Sequence, residues 1–276
     1  WPALIGLNRK VFRTVFHQNY KYRDFLSGVI PFIGGDGNQR FEISEGILYR
    51  SSEFAKLPDS ASLLIIDEIN RGPAVQIFGG SIVAIEPDKR LNNENSPTPE
   101  TQFFELLNPE SGQLVEYAFP ENLYILAAMN QADVSVEPLD VAFLRRWAPI
   151  SMVPSLRVLY NFFDIEENIQ SPLPDNPSTV KDIYCAAVLA WEAINKRIKL
   201  GRGGEFQLGH GIFLVGHRNP PNDIPHALNF ISESWGYISA HVEEVFFGDP
   251  RAISAALNIR PDVFHPYQLE TAIFAD

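Results

Sequence analysis

The run Leu63-Leu64-Ile65-Ile66-Asp67-Glu68-Ile69-Asn70-Arg71 decides the fold of this chain. Its first four residues are apolar without alternation, the pattern of a strand buried on both faces of a parallel sheet. Two carboxylates stand where that strand ends. In open α/β sheets ligands bind outside the carboxyl ends of the strands, so Asp67 and Glu68 would face a site. In nucleotide hydrolysis such a pair divides the work. The first acid holds Mg2+, largely through water, because Mg2+ gives up its hydration reluctantly. The second orients and polarises the attacking water. The plainer alternative is that an Asp-Glu step complements the N-terminus of the next helix.

Working outward, Val11-Phe12-Arg13-Thr14-Val15-Phe16 reads as a strand, and Gly34-Gly35-Asp36-Gly37-Asn38 as a loop or hairpin tip before a short helix near 48–56. Val75, Phe78, Ile82 and Ile85 recur at helical steps and predict a helix over 74–86. A hairpin is expected over 102–118, a second buried strand over 123–129 and a short strand over 148–153. Beyond Pro154 the character changes. A proline-rich linker at 168–177 precedes a helix from Ser178 to about Leu200, with Ile183, Ala187, Val188, Trp191, Ile194 and Ile198 on one face. Another helix runs from about Asp223 to Phe247, stopped by Gly248-Asp249-Pro250. The expectation is an α/β part over 1–154 and a helical part over 155–276.

Composition narrows the function classes. With 22 Lys+Arg against 34 Asp+Glu the formal charge is −12, which disfavours a free-standing nucleic-acid binder. No apolar run approaches the roughly 18 residues of a membrane span. The single cysteine, Cys185, excludes an internal disulfide and a multi-cysteine zinc cage, and fits a reducing, cytoplasmic compartment. The histidines lack the spacing of a zinc site. Gly201-Arg202-Gly203-Gly204 follows no strand and reads as a helix exit rather than a phosphate grip. Tyr20, Tyr22 and Phe25 could face DNA, although core packing beside the first strand is the plainer use.

Two further signals accompany the acidic pair. Met129-Asn130-Gln131-Ala132-Asp133 ends the second buried strand in a polar residue. If the two strands are neighbours, Asn130 sits beside Glu68 and can hydrogen-bond the water or a γ-phosphate; otherwise it is a turn asparagine. Leu139-Asp140-Val141-Ala142-Phe143-Leu144-Arg145-Arg146-Trp147 reads as a short helix ending in paired arginines. These either satisfy terminal carbonyls or neutralise a phosphoryl group in a neighbouring subunit.

The order of Phe16-His17-Gln18-Asn19-Tyr20-Lys21-Tyr22-Arg23-Asp24-Phe25, the 63–72 run, 122–133 and 139–147 resembles the AAA+ motor of McrB-like proteins, the nucleotide-hydrolysing subunits of modification-dependent restriction systems. Residues 191–198 and 208–213 resemble that family's helical lid, so the similarity spans roughly 11–250. The resemblance implies an AAA+ P-loop NTPase-type parallel sheet flanked by helices, carrying strands 2 to 5, with an all-helical lid after it. It makes Asp67 and Glu68 the Walker B pair, with Asp67 at the metal, and Asn130 sensor 1. Arg145 or Arg146 is then the arginine finger, and His210 a nucleotide-contacting residue of the lid, although HGIF stands here where the family more often has HSYF. It further implies Mg2+, GTP or ATP, a hexameric ring, a McrC-like nuclease subunit, and DNA engaged through pore loops or other regions.

The largest departure is that no Gly-x-x-x-x-Gly-Lys-Ser/Thr occurs. In the family's strand order, 5-1-4-3-2, strand 1 leads into that loop, and the strands read here are 2, 3, 4 and 5. The chain starts at Trp1, without Met and just upstream of strand 2, so the expectation is a portion of a longer protein whose phosphate loop precedes residue 1. The rival readings are a protein-remodelling AAA+ ATPase and a non-hydrolysing AAA+-like scaffold that lost its phosphate loop.

Overall fold

A computed structural model describes residues 8–132, 139–167, 169, 173–174, 176–215 and 219–258. Asp133, His217, His265, residues 259–276 and part of the 168–177 linker lie outside the described residues. The chain divides into two compact units, Trp1–Pro149 and Ile150–Asp276.

The first unit runs β1 (Asn8–Val15), α1 (Tyr22–Phe25), β2 (Ser27–Ile33), β3 (Gln39–Glu45), α2 (Ile47–Lys56), β4 (Ser60–Asp67), α3 (Ala74–Phe78), β5 (Phe104–Leu107), β6 (Leu114–Tyr117), β7 (Leu123–Ala127) and α4 (Val141–Leu144). β1, β4 and β7 form a parallel sheet in that order, so the run at 63–66 is its central strand. Two antiparallel hairpins, β2–β3 and β5–β6, accompany it. Period-two alternation assigns the faces. Phe12, Leu64, Ile66 and Ile125 share one face, over which α2 packs and from which the core spreads to Phe16, Phe25, Phe78 and Phe119. The opposite face carries exposed Val11, Val15 and Leu126 around half-buried Leu63 and Ile65. Among the described residues β7 pairs only with β4, which leaves an open parallel edge on its other side.

Three expectations change here. The helix expected over 74–86 breaks after Phe78, because Gly79 turns with φ +52° and the chain continues as a 3-10 turn over Gly79–Ala84. A Cβ at Gly79 would lie 2.8 Å from the Tyr22 ring, so the site demands glycine twice over. No strand forms over 148–153, where Ile150, Met152 and Val153 are exposed. In the order 5-1-4-3-2 that strand pairs with strand 1, and no described segment offers it that edge. The helix expected from Ser178 is capped by Thr179, whose side chain accepts from Asp182 N–H while the Asp182 carboxylate accepts from Thr179 N–H.

One buried cation fastens the start of β7. Arg90 is 8% exposed and donates to the carbonyls of Ile85 and Leu123, while its own carbonyl accepts from Thr101 Oγ1. Burial lowers its guanidinium to about 10, still cationic at neutral pH. Arg90→Met keeps the apolar stem but leaves both carbonyls without their donor. We expect a loss of about 2–4 kcal/mol in urea unfolding of the full-length protein. An unchanged midpoint would show that water replaces the guanidinium freely.

The second unit is helical among its described residues: α5 (Leu156–Phe163), α6 (Val180–Gly201), α7 (Ile224–Val245) and α8 (Pro250–Leu257), with 3-10 turns at Gly204–Phe206 and His210–Phe213. The expected face of α6 is buried from Ile183 to Ile198 against Phe163, Phe213, Phe230 and Val242. Asn195, inside this core, pins the loop beyond α6 by donating to Leu208 O and accepting from Leu208 N–H. α5 and α8 carry no signal that the sequence reading used. No described helix is long and apolar enough to cross a membrane.

Candidate functional site at the carboxyl ends of β4 and β7

Asp67 is the last residue of β4, and its carbonyl accepts from Phe16 N–H at 3.0 Å. Its exposed carboxylate makes no hydrogen bond or ion pair to the described residues. Glu68 leaves the strand with φ 54° and ψ 46°, a left-handed conformation that costs a non-glycine residue about 1–2 kcal/mol. That turn sends the chain into the 3-10 turn Ile69–Arg71, of which Glu68 is the N-cap residue, without a capping bond from its side chain. Glu68 Oε2 accepts from Arg71 Nε at 3.1 Å, with both side chains partly exposed.

The β4–β7 ladder outlasts the strands. Ala128 N–H donates to Ile66 O at 2.8 Å and Ile69 N–H to Ala128 O at 3.0 Å. Asn70, 6% exposed, then donates from Nδ2 to Asn130 O at 3.1 Å. The structure therefore brings Asp67, Glu68 and Asn130 to one end of one sheet. Asn130 is exposed, and its Oδ1 accepts from Ala132 N–H at 3.1 Å.

The residues matched to the AAA domain family, dynein-related subfamily, run from 3 to 147 and take in all of β1 to α4. The chain belongs to this family. It is 32% identical over 253 residues to the type IV methyl-directed restriction enzyme EcoKMcrB subunit of Escherichia coli (strain K12), covering 88% of this chain and 48% of that protein. It is 35% identical over 88 residues to the type II restriction enzyme BsuMI component YdiS of Bacillus subtilis (strain 168), covering 31% of this chain and 25% of that protein. The chain thus spans about half, or less, of the length of these relatives. A crystal structure of a candidate ATPase from Cytophaga hutchinsonii ATCC 33406 aligns with a TM-score of 0.30 at 18% identity, covering 51% of this chain and 33% of that one. The α/β sheet with its helical C-terminal region is an AAA+ fold, and the chain is a relative of the McrB restriction subunit.

Within this AAA domain the paired arginines differ. Asp140 caps α4 by accepting from Ala142 N–H, and Phe143 and Trp147 pack on Phe78. A chain of ring contacts through Phe16, Phe25, Phe78 and Phe143 thereby anchors the helix to the core. The same contacts give Phe25 to the interior, with Tyr20 stacked on Phe16. Arg146 is held by its own unit: its Nη1 donates to Ala142 O and its Nε forms an ion pair with Glu86 at 3.4 Å. Arg145 is exposed, and its guanidinium has no partner among the described residues. His210 belongs to the second unit, where its Nδ1 accepts from Ser155 N–H at 3.2 Å. A neutral ring so placed carries its proton on Nε2.

Sequence reasoning passed over Asn70, Arg71 and Glu86. Asn70 and Arg71 stand inside the quoted run, yet their partners become visible only once the strand neighbours are known. No described group of three or more His, Cys, Asp and Glu could hold a metal ion by itself. One free carboxylate at a strand end suits Mg2+, which takes one or two carboxylates together with water and substrate phosphates.

Proposed function

We propose that this AAA domain is the motor of a restriction or defence nuclease and hydrolyses GTP or ATP with Mg2+ in a hexameric ring. The observation that carries the reading is the parallel pairing of β4 and β7, continued by the bond from Asn70 to Asn130, which brings the β4 exit with Asp67 and Glu68 alongside the β7 exit with Asn130. Asp67 offers its free carboxylate to Mg2+ through water; the ion, when bound, neutralises charge on the phosphates. Glu68 accepts a hydrogen bond from the attacking water, and Asn130 fixes that water or the γ-phosphate. Arg145, with no partner among the described residues, reaches the site of a neighbouring subunit and stabilises charge there once the ring forms. Arg146 positions α4 through Glu86.

Two features favour a phosphate loop in the full-length protein. The edge of β7, unpaired among the described residues, and the exposed Val11–Val15–Leu126 face are what a strand, loop and helix carrying Gly-x-x-x-x-Gly-Lys-Ser/Thr would cover. In this reading residues 1–154 are the motor core and 155–276 the lid, where His210 offers Nε2–H to bound nucleotide. The relatives are a subunit and a component of restriction enzymes, which supports a partner subunit; in this reading that partner is a McrC-like nuclease, the compartment is the cytoplasm, and DNA is engaged through pore loops or other regions. The deciding experiment is phosphate release from GTP and from ATP by the full-length protein with and without Mg2+. Turnover of one of them that needs the metal supports the reading, and turnover of neither contradicts it.

A further inference from the structure

We propose that Asn70 is a positioning residue of the hydrolytic site, holding the two groups that act on the attacking water at a fixed separation; the inference rests on the hydrolytic reading above. Beyond Ala128 the backbone ladder between β4 and β7 stops, because Glu68 turns out of the sheet at φ 54°. From that point the separation of Glu68 and Asn130 would depend on two independent loops. The bond from Asn70 Nδ2 to Asn130 O crosses the gap, between residues 60 apart in sequence. Asn70 also belongs to the same 3-10 turn as Arg71, which holds Glu68 Oε2. One turn thus grips the carboxylate with one residue and the neighbouring loop with the next.

Stability alone does not account for the bond. Asn130 is exposed, so its carbonyl would turn to water if Asn70 were lost, at little cost in folding free energy. What would be lost is position. Asn130 Oδ1 already accepts from Ala132 N–H, so the loop has a shape of its own but a single side-chain anchor to the β4 exit among the described residues. Asn70 Oδ1 is buried with no partner among the described residues. The side chain therefore earns its place through its donor end.

The test uses the full-length protein and reads the tether and the chemistry separately. Asn70→Ala removes the donor; Asn70→Asp keeps the volume and sets an acceptor against Asn130 O. Both are expected to lower kcat by about 10- to 100-fold, as ångström-scale misplacement does, with KM changed less than about threefold and the melting temperature held within a few degrees. Amide exchange over 128–132 is expected to speed up at least tenfold in both. In an Asn130→Ala background, Asn70→Ala is expected to add no further loss of kcat. Unchanged exchange over 128–132, or fully additive losses, would overturn the proposal even with a Glu68→Gln protein inactive. An active Glu68→Gln protein would instead overturn the hydrolytic reading, and the exchange measurement would still decide the tether.

Discussion

Glu68→Gln in the full-length protein is expected to lower NTP turnover by about 10²–10⁴-fold, the range for loss of a positioned base, while nucleotide binding persists. Glutamine keeps the size of the side chain but replaces the carboxylate with an amide, which polarises water poorly. The backbone should not move, because the left-handed turn is held by Ile69 N–H on Ala128 O and by Asn70 on Asn130 O, neither of which involves the Glu68 side chain. Loss of the pair with Arg71 should cost under about 1 kcal/mol, since both partners are partly exposed. Phosphate release, equilibrium nucleotide binding and thermal melting on the same samples separate these effects. Undiminished release with intact binding would take Glu68 out of the chemistry.

Arg145→Ala is expected to lower turnover of the assembled protein by about 10³–10⁵-fold, the range for a missing arginine finger. Arg146→Ala should cost much less in turnover, and its loss should be mimicked by Glu86→Gln, since the two side chains pair within one chain. The asymmetry follows from geometry. A guanidinium already spent on Glu86 and the Ala142 carbonyl would have to break both to reach across an interface, whereas Arg145 is exposed and has no partner among the described residues. Steady-state turnover above the assembly concentration measures the difference. If Arg146→Ala proved the more severe variant and Glu86→Gln were silent, the roles of the two arginines would be reversed.

Much of the fold was legible because its signals are local. An unbroken apolar run such as Leu63–Ile66 has few uses in an α/β unit, and the regular face of α6 specifies a helix by spacing alone. The polar end of the second apolar run put Asn130 near Glu68 on condition that the two strands are neighbours, and β4 and β7 do pair. What the residues could not show depends on contacts distant in sequence. The helix expected at 74–86 fails because Gly79 turns with φ +52°, at a position where a side chain would run into the Tyr22 ring, more than fifty residues earlier and outside any window of periodicity. The strand expected at 148–153 has the right composition, but a strand exists only against a partner edge. The two arginines are identical in sequence terms and separate through the Ala142 carbonyl and through Glu86, sixty residues earlier in the chain. Asn70 belongs to the same class, a polar residue whose meaning lies wholly in the carbonyl it reaches.

The central claim is that hydrolysis needs Glu68 from one subunit and Arg145 from the next. Mixing subunits tests it most directly. Full-length Glu68→Gln and Arg145→Ala proteins, each inactive alone, are combined in equal amounts under conditions that exchange subunits, and phosphate release is measured. In a randomly mixed ring about one quarter of the interfaces join an intact Glu68 to an intact Arg145, so recovery of up to about a quarter of the wild-type rate is predicted. Mixtures that exchange subunits and stay as inactive as their parents would contradict a shared site.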